Sequence, residues 1–316
     1  MAADLGLDIA KAKFDAALLI GEKFKTKVFS NDAAGFAALS AWLAAQQVTT
    51  VRVCLEATGT YGLAVATHLH DQGHHVSIVN PAQIKAFAAT LLTRNKTDRA
   101  DARLIARFSA LHRPVAWQPP PAEIRVLQAL VRRLEALQEM LQQEQNRLAS
   151  ADPAVVITIT RHLEFLRAEI VAVRQQIRDH IDQHPDLRRK RVLLDSIPGI
   201  GEATIAQILA FVSTQTFSSA RQLAAFVGLS PQQRQSGSSV HGKARISKTG
   251  RANLRKALYM PALVAWRYNP IISAFCDRLA AAGKPKMVIA VAAMRKLLHI
   301  AYGVLKSGQP FNPNLA

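Results

Sequence analysis

Cysteine, long apolar runs and, in its last third, acidic residues are what this 316-residue chain has least of. Only Cys54 and Cys276 occur, so there is no disulfide framework to build on, and two lone thiols point to a reducing compartment. The longest apolar runs, Ala257 to Trp266 and Met287 to Met294, fall short of the roughly 20 residues a bilayer requires. On that count the sequence predicts no membrane span and no membrane partner. The N-terminus, Met-Ala-Ala-Asp-Leu-Gly-Leu-Asp, shows neither a basic nor an apolar leader region, so no signal peptide is expected and the chain reads as cytoplasmic.

The shortage of acid is local. The formal net charge is +18, with 40 Lys plus Arg against 22 Asp plus Glu, yet residues 1–110 carry a net of only +3 and residues 111–190 only +2. Residues 191–316 hold 16 basic and 3 acidic side chains, a net of +13. A surface so one-sided attracts a polyanion, in such a chain most simply nucleic acid. The alternatives are a merely soluble basic surface and attachment to anionic lipid, and no basic amphipathic anchor helix supports the latter. With 49% hydrophobic residues the chain has ample material for a core, which excludes wholesale disorder.

Three segments follow. Residues 1–113 alternate strand and helix signals: Leu5–Ile9, Phe14–Ile20, Lys23–Ser30, Val51–Leu55 and His75–Val79 read as strands, and Asp32–Ala45 and Tyr61–Gln72 as helices. In Lys23–Ser30 the alternation puts Phe24, Thr26, Val28 and Ser30 on one face. This is an α/β domain whose early strands are expected to be antiparallel. Pro114 and the Pro119-Pro120-Pro121 run open residues 114–190, a linker and a coiled-coil helical hairpin. One seam runs through Leu127, Leu130, Leu134, Leu137, Leu141 and Leu148, broken only at Glu144; the other runs through Leu163, Leu166, Ile170, Val173 and Ile177. Such a hairpin packs on itself or pairs with another subunit, and pairing is the reading slightly favoured here. Residues 191–316 form a basic, mainly helical domain with a Gly/Ser-rich loop, Gln235 to Ser239. The fold class is therefore α/β plus all-α.

Asp8 and Glu56 sit at strand ends, and Asp98 and Asp101, at i and i+3, share one helix face. Carboxylates gathered this way suit Mg²⁺, which takes hard oxygen ligands together with phosphate oxygens. The same residues also suit helix capping and surface charge, Thr97-Asp98 above all. Pro198-Gly199-Ile200-Gly201 between two helices frees backbone N–H groups for a phosphate, or makes a tight turn. Ser236 lies between Arg234 and the cations His241, Lys243, Arg245 and Lys248, with Arg251 and Arg255 on the following helix. A serine needs a base or strong electrophilic assistance to act as a nucleophile, and a flexible linker explains such a loop equally well. His180 and His184, at i and i+4, lack the companions of a zinc site and read as solvated helix residues; Trp117, Trp266 and Tyr259 suit stacking on bases but, as single aromatics, read as core.

Taken together, the motifs resemble one family. Gly6-Leu7-Asp8-Ile9-Ala10-Lys11, Glu56-Ala57-Thr58-Gly59-Thr60-Tyr61 and Asn95-Lys96-Thr97-Asp98-Arg99-Ala100-Asp101-Ala102 recur in that order in the DEDD transposases of bacterial insertion sequences, the "one-ten" family. Pro198 to Gly201, Gly228-Leu229-Ser230-Pro231, Ser236 to Ser239, Ile246 to Gly250 and Leu258 to Ala262 resemble its second signature. The resemblance implies an N-terminal RuvC-like, ribonuclease-H-type domain whose metal-binding acids match Asp8, Glu56, Asp98 and Asp101. It implies a nucleophilic serine matching Ser236. It further implies a site-specific DNA recombinase guided by a structured bridge RNA that pairs with donor and target DNA. Such enzymes work as tetramers built of dimers, with each active site shared between two subunits. The few residues before Asp8 leave room for only a brief or frayed first strand.

Three rival readings have distinct signatures. A plain RuvC-like nuclease would use water and leave the serine loop structural. A catalytically dead nucleic-acid-binding protein would show no metal-dependent cleavage. An actin-like or sugar-kinase ATPase would need Gly-rich phosphate turns after a later strand, for which Gly59 alone is thin.

Overall fold

The computed structural model describes residues 3–57, 59–91, 97–212, 217–232, 235–236, 240–241 and 245–315, with side chains for all of these except 235, 236, 240, 241 and 315. Arg234 and Lys243 lie outside them. The chain divides into two compact units, residues 1–119 and 120–316.

The first unit is built on a five-stranded sheet of order β3-β2-β1-β4-β5, comprising β1 (Ala3–Ile9), β2 (Lys13–Ile20), β3 (Lys23–Ser30), β4 (Val51–Glu56) and β5 (His75–Val79). Strands β1 to β3 are antiparallel, and β4 and β5 run parallel to β1. This mixed sheet is consistent with a RuvC-like domain. The first strand is neither brief nor frayed. It spans seven residues, because it is central and pairs from Ala3 onward with β2 on one side and β4 on the other.

Period-2 alternation assigns the two faces. Leu5, Leu7, Phe14, Ala16 and Leu18 form one core with α1 (Ala33–Ala45) and α2 (Leu63–Asp71). On the opposite face, Cys54 packs with Ile84 and Phe87 of α3 (Pro81–Thr90) and with Ile105 and Phe108 of α4 (Asp98–His112). Burial in this core, with Glu56 as a second cause, pushes the Cys54 thiol up to about 12.

The edge strand β3 keeps the expected alternation, with Phe24, Thr26, Val28 and Ser30 on one face, and buries its core residue on the other. Phe29, not Val28, is the buried residue, stacked on Phe14 at 5.5 Å and edge-on to Trp42 at 5.8 Å. On the other face Phe24 lies under the guanidinium groups of Arg103 and Arg107, and Val28 is exposed, while Lys23, Lys25 and Lys27 keep their surface positions.

Helix α4 lies against the sheet at backbone distance. A Cβ on Gly6 would come within 2.1 Å of the Ala102 carbonyl oxygen and 2.4 Å of the Ala106 nitrogen. One step back along β1, the buried Asp4 accepts from Arg52 Nε at 2.8 Å, from Arg52 Nη2 at 2.6 Å and from Ser109 Oγ at 2.8 Å. The carboxylate raises the Arg52 pKa through this side-chain hydrogen bond. Asp4 thereby locks β1 to β4 and to the end of α4. Replacing Asp4 by alanine strands a partly buried guanidinium and a buried hydroxyl. Since Arg52 retains some solvent, the expected cost is about 2 kcal/mol, below the usual figure for a fully buried pair. Urea unfolding followed by Trp42 and Trp117 fluorescence would measure it.

The second unit is helical: α5 (Ala122–Leu148), α6 (Pro153–Gln183), α7 (Pro185–Asp195), α8 (Glu202–Phe211), α9 (Ala220–Val227), α10 (Ala252–Tyr268), α11 (Pro270–Ala281) and α12 (Lys286–Ser307). Between α9 and α10 lie the two-residue strands β6 (Pro231–Gln232), β7 (Gln235–Ser236), β8 (Val240–His241) and β9 (Arg245–Ile246), with β6 paired to β9 and β7 to β8.

The two seams of the hairpin face each other within the chain. Leu127, Val131, Leu134 and Leu137 of α5 share a core with Leu166, Ile170, Val173 and Ile177 of α6. That core continues into α7 through α12. Glu144, the polar break, is buried and held by Arg147 Nη1 at 2.5 Å and by His162 Nδ1 at 3.5 Å. His180 is half-buried rather than free in solvent: its Nε2 lies 2.7 Å from the Glu123 carbonyl, and its ring meets that of the half-buried His184 at 4.4 Å in a tilted arrangement. Trp117, Trp266 and Tyr259 pack against the cores of their units as expected.

Helix α12 corrects the reading of apolar runs. Its 22 residues are long and apolar enough to cross a membrane by length and composition. Arg295 and Lys296 interrupt the apolar sequence of this helix, so in the sequence it reads as two shorter apolar stretches. Ile289, Ala293, Met294, Leu297, Leu298 and Ala301 bury its inner face in the core of this unit.

Candidate functional site

The four candidate acids all belong to the first unit. Asp8 lies near the carboxyl end of β1 on the face that meets α4, the face of Asp4 and Gly6. The parallel register pairs Leu7 with Leu55, so Glu56 is the next neighbour beside Asp8 on the same face. Helix α4 runs opposite to β1: Ser109 meets Asp4, Ala102 and Ala106 meet Gly6, and the helix start is brought toward the strand end. Thr97 caps that start, its hydroxyl accepting from the Ala100 N–H at 3.2 Å, while Asp98 and Asp101 fill the first turn. Negative charge there is favoured by the helix dipole. Capping is thus carried by Thr97, and Asp98 is left facing outward.

Sequence reasoning missed two residues at this edge. Asp15 on β2 is the direct cross-strand partner of Asp8 and is buried. Lys13 Nζ lies 3.4 Å from Asp98 Oδ2 and 3.9 Å from Asp15 Oδ2. The signal was present in the Lys13-Phe14-Asp15 alternation, which puts Lys13 and Asp15 on one face and Phe14 on the other. Among the described residues, no three His, Cys, Asp or Glu side chains are close enough to hold a metal ion as a group. The donor chemistry nevertheless suits a hard cation: the candidate ligands are all carboxylates, and a cationic group, the Lys13 ammonium, already sits against two acids of this edge. A hollow of the unit, about 840 Å³, is lined by Phe87, Phe108 and His112 at the far end of α4, away from these acids. It is mostly apolar and has none of the acids in its walls.

The other candidates belong to the second unit. Ser236 lies in β7, paired with Val240 across the hairpin, and its side chain is outside the described residues. Arg245 is exposed in β9, opposite Gln232. Lys248 has a left-handed backbone, φ 54°, in the turn that leads to α10. Arg251 is the N-cap residue of α10. Arg255 is engaged, its Nη1 donating to the Val227 carbonyl at 2.8 Å.

Gly199 has φ 101°, and a Cβ there would come within 2.6 Å of the Ala265 side chain, so this glycine admits α10 to the turn between α7 and α8. Gly201 opens α8 without a side-chain cap and with open space around its Cα.

Comparison with known proteins agrees across both units. Residues 5–151 match a family model described as transposase, of the DEDD type of IS110 elements. Residues 191–277 match the model of the transposase IS116/IS110/IS902 family. The pilin gene-inverting protein of Moraxella bovis is 36% identical over 315 residues, covering 98% of each chain, and that of Moraxella lacunata is 35% identical over the same span. An uncharacterized 43.6 kDa protein of insertion element IS110 from Streptomyces coelicolor is 28% identical over 155 residues, 49% of this chain and 37% of its own. DEDD transposases depend on divalent metal in general. The chain therefore belongs to the transposase IS116/IS110/IS902 family and is a DNA transposase/recombinase.

Proposed function

We propose that the protein is a site-specific DNA recombinase of an insertion sequence, guided by a structured non-coding bridge RNA, which cleaves and exchanges strands through a phosphoserine intermediate at Ser236. The observation that carries this reading is the end-to-end relationship to proteins named for gene inversion. An inversion rejoins every end it breaks, so the bond energy of each cut phosphodiester must be kept. A covalent protein–DNA link keeps it; attack by water, the rival nuclease reading, discards it.

In this proposal Asp8, Glu56, Asp98 and Asp101 hold Mg²⁺, whose chemistry when bound is Lewis-acid polarisation of the scissile phosphate. The Ser236 hydroxyl oxygen attacks phosphorus and the bond to the 3′ oxygen breaks. The serine proton ends on the released 3′-hydroxyl, and the 5′ phosphate stays on Ser236. The 3′-hydroxyl of the second DNA then attacks the phosphoserine, and the proton returns to Ser236. One phosphodiester is lost and one is made, so no energy source is consumed.

Arg234, Lys243, Arg245, Lys248, Arg251 and Arg255, with the backbone at Gly199 and Gly201, hold donor DNA, target DNA or RNA through their phosphates. The working assembly is a homotetramer built of dimers, with the α5–α6 hairpin of residues 114–190 assisting assembly between the catalytic segments 1–113 and 191–316.

The test is covalent trapping. The protein is incubated with Mg²⁺, its flanking RNA, donor and target DNA, then denatured and resolved. The expected result is a DNA-linked protein band that disappears in Ser236→Ala. Cleaved DNA without linked protein, undiminished in Ser236→Ala, would overturn the serine step and leave a metal nuclease.

A further inference from the structure

Phe211, the last residue of α8, carries two guanidinium groups. Arg251 Cζ lies 5.0 Å and Arg132 Cζ 5.6 Å from its ring centroid, and Arg251 also lies 5.4 Å from the centroid of Phe226. One cation on a ring is a common stabilising contact, whereas a second brings repulsion with it. Neither arginine makes an ion pair within 4 Å among the described residues. The acid that Arg132 senses, Glu135, is occupied: it accepts from Gln207 Nε2 at 2.6 Å and from Asn253 Nδ2 at 2.8 Å. Local desolvation, and after it the charge of Arg132, pushes the Arg251 guanidinium below its ordinary value, although the residue as a whole is exposed.

Both groups are anchored. One turn before Arg132, Gln128 Nε2 donates to the Ala210 carbonyl at 2.8 Å, fastening α5 to the end of α8. The Arg251 N–H donates to the Phe226 carbonyl at 3.2 Å. Gly250, with φ 145°, lies so close to the 226–228 backbone that a Cβ would fall 2.3 Å from the same oxygen. The Ser247 N–H donates to the Ser230 carbonyl at 2.9 Å, closing the hairpin that carries Ser236 just ahead of Arg251.

We infer that Arg132 and Arg251 form a two-guanidinium clamp for one phosphodiester of a bound nucleic acid, at the root of the serine hairpin. Two planar forks suit the non-bridging oxygens of a phosphate, which would offset the repulsion between them. This rests on the nucleic-acid part of the proposed function and on neither the serine nor the metal chemistry. It adds a contact from the helical hairpin, a segment with little net charge.

The full chain and its Arg132→Gln, Arg251→Gln and double variants are tested without metal. The probes are a mixed-sequence duplex DNA of about 40 base pairs and an RNA hairpin of similar length, read by fluorescence anisotropy over a salt series. Each phosphate contact contributes about 0.9 to the salt slope for duplex DNA and about 0.7 for a single strand. Each single variant is expected to weaken binding of at least one probe and to lower its slope by about one contact. The double variant should add little, because one phosphate is lost only once. The probe that responds identifies DNA or RNA as the ligand. Without nucleic acid, the single variants should melt no lower than the wild type.

Unchanged slopes with a lowered melting temperature would make the pair a structural staple and overturn the clamp alone. A wild type that binds neither probe would overturn the clamp and the nucleic-acid reading together. If the Gln variants do not fold, Arg132→Lys and Arg251→Lys carry the test. Charge is then kept, and an affinity equal to wild type in both would overturn the two-fork geometry.

Discussion

Replacing Gly6 by alanine is expected to destabilise the first unit by upwards of about 3 kcal/mol, the top of the usual range for overpacking. The reason is what the new methyl meets. Its neighbours at 2.1, 2.4 and 3.0 Å are the Ala102 carbonyl oxygen and the Ala106 nitrogen and Cα, all backbone atoms of α4. A side chain at that spot would rotate away, but a helix backbone must move as a body, and Ser109 ties this one to Asp4 on the same strand. The strain therefore falls on the start of α4, where Asp98 and Asp101 stand. Denaturant unfolding monitored at Trp42 and Trp117 would show the loss, and DNA cleavage is expected to fall with it even where the variant remains folded. Cleavage at the wild-type level in a folded Gly6→Ala variant would mean that the placement of α4 does not matter to the chemistry.

Asp8→Asn separates charge from shape. The amide keeps the size of the carboxylate and removes one negative charge beside Glu56 and opposite Asp15. Loss of an outer-shell partner of a metal ligand already costs about 10- to 100-fold in affinity or activity. On the ligand role proposed for Asp8, its loss should therefore lower strand cleavage by more than about 100-fold at fixed Mg²⁺. The variant is expected to fold, shown by circular dichroism, and to bind duplex DNA with the wild-type salt slope. Calorimetric titration with Mg²⁺ should show weakened binding. Cleavage within tenfold of wild type would remove Asp8 from the metal-binding set.

How much of this was visible in the sequence differs from element to element. The strands Lys13–Ile20, Lys23–Ser30, Val51–Glu56 and His75–Val79 follow their apolar patterns closely, because in an α/β sheet those side chains have helices to meet. Phe24, Thr26 and Val28 do share one face of β3, but the alternation alone does not say that the buried aromatic is Phe29 on the other face. What decides the matter is tertiary: α1 supplies Phe36 and Trp42 on the Phe29 side, while Phe24 lies under the guanidinium groups of Arg103 and Arg107.

Asp8 and Glu56 could be proposed as neighbours from strand ends alone. The alternation puts Lys13 and Asp15 on one face, but that this face lies opposite Asp8 depends on the tight turn in which the Ala10 N–H donates to the Lys13 carbonyl and sets the β1–β2 register. Arg132 and Arg251 are further still from view. They lie on helices far apart in the sequence, and only the packing of α5, α8 and α10 around Phe211 brings them together.

The lysines of β3 bear on how copies of this protein meet. An edge strand offers unpaired N–H and C=O groups to any passing strand, a standing invitation to aggregate. Here Lys23, Lys25 and Lys27 project from that edge strand. A second copy laying the same strand alongside would bring its own row of ammonium groups against these, and the sheets would repel before they could zip together. Growth by strand addition is thereby discouraged at this border at neutral pH, most strongly at low salt, so a concentrated preparation should stay dispersed there without needing a partner to cap the sheet.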